Sequence, residues 1–157
     1  MLILWSTGCG ELDALSSKES RSDKPYTLSI LSQQTCPLTD GLDPKKVVIL
    51  SFRVKLEGRA PQGVPANYFY ASLLMEDGER YLAEYAGCHP VLSDDPLPPG
   101  ESTTGFLNFP VPPSKVAKTL EFAPDILNIE RDESMVQLPL SENDLDDESA
   151  IESRSTE

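Results

Sequence analysis

A chain of 157 residues suits one domain of ordinary size and is short for two. Its 13 Lys and Arg stand against 26 Asp and Glu, a formal charge of −13, which argues against a basic surface for nucleic acid or anionic lipid. With one His in the sequence, any imidazole-based metal site or Ser-His or Cys-His chemistry has only His89 to draw on, and no apolar run reaches the roughly 18 residues of a membrane-spanning helix.

The chain opens Met-Leu-Ile-Leu-Trp-Ser-Thr-Gly-Cys, apolar or small and uncharged up to Cys9. This resembles the end of a bacterial lipoprotein signal peptide. There a small residue, here Gly8, precedes a cysteine that is diacylated on sulfur and becomes the mature N-terminus. The likeness departs at Ser6, where an aliphatic is favoured, and in having no Lys or Arg ahead of Cys9. It implies lipidation of Cys9 over residues 1–9. The alternative is a short hydrophobic start with an incidental cysteine. Gly10, where Asp would favour inner-membrane retention, implies the outer membrane if the organism has one. Residues 10–24 are polar and Ser-rich and predict a flexible tether.

Residues 25–140 alternate repeatedly between apolar and polar side chains, the period of strands with one buried face. Tyr26, Leu28 and Ile30 share a face. Val48, Leu50, Phe52, Val54 and Leu56 form the clearest strand, with Ser51, Arg53 and Lys55 opposite. Phe69, Ala71, Leu73 and Met75 alternate with Tyr68, Tyr70 and Ser72. Glu76-Asp77-Gly78-Glu79 then predicts a hairpin turn in which Gly78 takes a positive φ. Arg80 to Tyr85 returns as its partner. Leu107, Phe109 and Val111 make another strand, Leu120 and Phe122 flank Glu121, and Val136, Leu138 and Leu140 close the series with Pro139 suited to an edge. Gly58 to Pro65 and Asp94 to Gly100 read as turn-rich linkers, and Ser114 to Lys118 as one helical turn. About seven short strands predict an all-β, two-sheet antiparallel sandwich. Residues 141–157 carry seven acids and one Arg, which predicts a disordered acidic tail.

With Cys9 assigned to lipid, Cys36 and Cys88 remain as an even pair within the strand-rich body, and a disulfide between them fits an oxidising compartment. Two reduced, buried thiols are the alternative. His89 beside Cys88 spells no metal site, because neighbouring strand residues point to opposite faces. The acids at 76, 77 and 79 read as a solvated hairpin tip. No G-x-S-x-G elbow occurs, so no catalytic residue, metal or cofactor is expected. Tyr68 and Tyr70, on the outer face if Phe69 faces the core, are the candidate partner-binding surface. Packing beneath a neighbouring loop is their other reading.

Val48 to Leu56, then Leu74-Met75-Glu76-Asp77-Gly78-Glu79-Arg80-Tyr81, then Leu97-Pro98-Pro99-Gly100-Glu101-Ser102, Gly105, Phe109 and Pro110-Val111-Pro112 occur in an order that resembles the telokin-like, immunoglobulin-like domain of bacterial lipoproteins and secreted proteins. The likeness covers residues 26–140. It implies an immunoglobulin-like sandwich that binds or adheres outside the cytoplasm, and it brings no catalytic residues. The sequence thus predicts an extracytoplasmic lipoprotein, on the outer membrane or facing the periplasm, with an unknown protein partner and no nucleic acid. A secreted form is the alternative address. The alternative function is a soluble acidic inhibitor that imitates nucleic-acid charge and binds a basic partner.

Overall fold

The structure, a computed structural model, describes residues 24–38 and 41–140. Cys9, most of the predicted tether and the acidic tail lie outside the described residues.

Nine strands occur among the described residues, paired antiparallel into three sheets. A three-stranded sheet has the order β1 (Tyr26–Cys36), β2 (Val48–Gly58), β7 (Ser102–Val111). A four-stranded sheet has the order β5 (Arg80–Leu82), β4 (Ala71–Met75), β8 (Ala117–Phe122), β9 (Val136–Pro139). A short pair joins β3 (Val64–Asn67) to β6 (Ser93–Leu97). The predicted alternation explains the core. Tyr26, Leu28, Phe52, Val54, Leu56, Leu107, Phe109 and Val111 of the first sheet pack on Ala71, Leu73, Met75, Leu120, Phe122, Val136 and Leu138 of the second. Pairs of rings meet edge to face, Tyr26 with Phe122 at 5.6 Å and Phe52 with Phe109 at 5.9 Å, the geometry aromatic quadrupoles favour.

Two expectations change. Asp94 to Gly100 is not all linker. Its first half is β6, and Pro96 sits at a register irregularity, where the missing N–H costs no ladder bond. Ser114 to Lys118 holds no helical turn, and β8 already starts at Ala117. The one α-helical turn described is α1 (Arg131–Ser134), held by buried Ser134, whose Oγ donates to the Pro124 carbonyl at 2.9 Å.

β1 is interrupted partway along its length. Its pairing with β2 slips by one residue between Ile30 and Ser32, a bulge at Leu31. Before the bulge, even-numbered residues face the core. After it, Gln34 and Cys36 stand opposite Ser51 and Ile49 on the outward face, because a one-residue slip in a period-2 strand exchanges its faces.

Candidate functional site

The bulge brings Cys36 to the side of the sheet crossed by the chain between β5 and β6. There Cys36 and Cys88 form a disulfide, with Cα atoms 5.6 Å apart. The crossing segment is also held by backbone bonds from Glu84 N to the Asn108 carbonyl at 2.8 Å, and from Phe106 N to the Pro90 carbonyl at 2.9 Å. Beneath it lies Asn108, fully buried. Its Oδ1 accepts from Cys88 N at 3.2 Å and from the Ser51 hydroxyl, and its Nδ2 donates to the Cys88 carbonyl at 2.9 Å. A buried amide satisfied on both ends is what the interior demands. Gly87 passes so close that a Cβ there would stand 2.6 Å from Asn108, with φ at +135°. Asn108 appears in the sequence only as a polar residue on the wet side of a strand; its role comes from the segment that covers it.

This anchoring positions an aromatic surface, and here the sequence-based assignment is corrected. Tyr68, Phe69 and Tyr70 do not continue a strand. They form a 3-10 turn whose first residues are held by Asn67, its Oδ1 accepting from Phe69 N at 3.4 Å. The turn breaks the period of 2, so the faces exchange. Phe69 is 51% exposed, while Tyr68 and Tyr70 rest partly against the core. The rings run on as a chain: Phe122 to Tyr70 at 6.5 Å, Tyr70 to Phe69 at 4.5 Å, Phe69 to Tyr68 at 6.0 Å, Tyr68 to Tyr85 at 6.3 Å, and Tyr85 to His89 at 4.9 Å. Tyr85 and Leu82 are 62% and 69% exposed. The candidate surface is therefore Phe69, Leu82 and Tyr85, with Tyr68 and Tyr70 supporting them.

Beside Phe69, a groove of about 310 Å³ opens on the outward face of the four-stranded sheet, lined by Phe69, Tyr70, Leu82, Arg80, Arg131 and Asp132 among others. Glu121 lies in its floor. Arg80 grips that carboxylate through two nitrogens, Nε at 3.1 Å and Nη2 at 3.3 Å, with Gln137 Nε2 at 3.0 Å and Ser72 Oγ at 3.3 Å. Burial pushes the Glu121 carboxyl up. The bonds from Arg80, Gln137 and Ser72 outweigh it and hold the group below the ordinary glutamate range. The Tyr70 hydroxyl is raised, first by burial and then by the negative charges of Asp95 and Asp125. Ser72, Glu121 and Gln137 occupy neighbouring register positions across β4, β8 and β9. No sequence motif marks this network, because its members are far apart in the chain.

No family model matches the chain, and no curated protein does. Two solved structures resemble it. The presumed lipoprotein ycdA of Bacillus subtilis is 16% identical, with a TM-score of 0.64 over 83% of this chain and 41% of its own. The yjhA protein of Bacillus subtilis is 15% identical, with a TM-score of 0.55 over 78% of this chain and 96% of its own. This chain thus spans less than half of the ycdA chain, and the likeness to both is one of fold.

Proposed function

We propose that the protein is a lipid-anchored extracytoplasmic lipoprotein whose sandwich is a non-catalytic, immunoglobulin-like binding module. The observation that carries the address is the Cys36–Cys88 disulfide, because such bridges persist in oxidising compartments. The Gly8-Cys9 junction supports the anchor, and so does the fold shared with a presumed lipoprotein. Three strands facing four is the count of an immunoglobulin-like sandwich, which supports the telokin-like resemblance. The binding role rests on exposed Phe69, Leu82 and Tyr85 beside a groove, since contiguous aromatic exposure marks interaction sites. Labelled palmitate is expected to enter the full-length protein, and the protein to sediment with membranes. Both are lost in Cys9→Ser. Labelling that persists in that variant, or is absent from the parent, removes the anchor.

A further inference from the structure

The groove floor is more ordered than a solvent-facing sheet requires. Glu121 is 5% exposed, and its carboxylate accepts from Arg80, Gln137 and Ser72. Arg80 is thereby fixed over the sheet through Nε and Nη2, and its Nη1 makes no hydrogen bond among the described residues. The half-exposed ring of Phe69 lies along the same groove, and Arg131 and Asp132 belong to its lining.

We propose that this groove binds a neutral glycan, with a sugar ring lying against Phe69 and its hydroxyls held by Arg80, Arg131 and Asp132. The proposal rests on the reading of the sandwich as a binding module and is independent of the lipid anchor. Charge is the first argument. Within the lining the two cations, Arg80 and Arg131, are matched by two anions, Glu121 and Asp132, and Asp95 and Asp125 act on Tyr70 from nearby, so a strongly anionic ligand finds no complementary field. Backbone is the second. β4 lies between β5 and β8, and β8 lies between β4 and β9. The main-chain groups of β4 and β8 are spent in ladders, so over the floor itself recognition falls to side chains, and the one sheet edge beside it is the three-residue β5. Chemistry is the third. A pyranose offers an apolar C–H face and a rim of hydroxyls that both donate and accept. An exposed ring takes the first, and a fixed guanidinium with the Asp132 carboxylate of the same lining takes the second. A volume of about 310 Å³ is at the small end of ligand clefts and suits one or two sugar rings.

The test screens the full-length protein on an array of neutral oligosaccharides and, in parallel, on a peptide array, with hits titrated by calorimetry. A neutral glycan is expected to bind, and Phe69→Ala to weaken it about tenfold or more with an unchanged Tm. Val116→Ala, at an exposed apolar position outside both the groove lining and the run of rings, is expected to keep full affinity. Equal loss in both variants overturns the groove as the site. No neutral glycan bound at millimolar concentration overturns the ligand class. Peptide capture without glycan does so while leaving a binding module standing, and silence on both arrays removes that reading as well.

Discussion

Phe69 and Phe122 are linked through Tyr70 by ring contacts yet differ in what they do. Phe122 is fully buried between the sheets, and Phe69 faces solvent. Phe122→Ala is expected to cost about 3–5 kcal/mol, because a cavity adds to the lost transfer energy. Phe69→Ala is expected to stay within about 0.5 kcal/mol; urea unfolding of the two variants measures the contrast. Glu121 presents the electrostatic counterpart. Its folded value is lowered, so its contribution to stability is fully present above the ordinary glutamate value of 4.5 and is lost as pH falls through the lower folded value. Unfolding free energies measured against pH are expected to show the advantage over Glu121→Gln shrinking in acid. Arg80→Ala leaves the buried carboxylate short of its main donor and is expected to cost about 1–3 kcal/mol, with Arg80→Lys recovering only part because an ammonium cannot span both oxygens.

Among the elements, β1 and the segment covering Asn108 depend on one another. The bulge at Leu31 turns Cys36 outward, and the disulfide then ties the end of β1 to the segment that carries Tyr85 and His89. Deleting Leu31 removes the bulge but leaves Cys36 an odd number of positions from Ile30, still opposite Ile49 on the outward face. Alkylation and mass spectrometry are expected to find Cys36 and Cys88 linked in that variant as in the parent. Reducing the parent is expected to lower stability by up to about 4 kcal/mol, the chain-entropy value for a sequence separation of 52. Hydrogen exchange then reads the order of loss. The amides of Glu84 and Cys88, bonded to Asn108, are expected to lose protection before those paired within the two sheets.

At the scale of the molecule, the two sheets share one core and the helical content of the described residues is slight, with α1 spanning four residues. Far-UV circular dichroism of the full-length protein is expected to be a β spectrum. A helical fraction near the ordinary third of globular proteins rejects the fold. Residues such as Phe52, Val54, Leu73 and Leu120 were legible as core from alternation alone, since a strand with one wet face must repeat every second residue. The hairpin at Gly78, with φ at +90°, was legible for the same kind of local reason. Phe69 was not. A single 3-10 turn, held by Asn67 and invisible to a period count, reversed which of three neighbouring rings faced solvent.

The amino-acid sequence by itself determined the all-β class, the inward faces of the long strands and the two cysteines with reason to meet, because alternation, turn chemistry and parity are local or countable. Tertiary structure alone decided which face Cys36 occupies, why Asn108 is buried, and that Ser72, Arg80, Glu121 and Gln137 form one network. Each of these depends on register between strands distant in sequence, where a shift of one residue exchanges inside for outside.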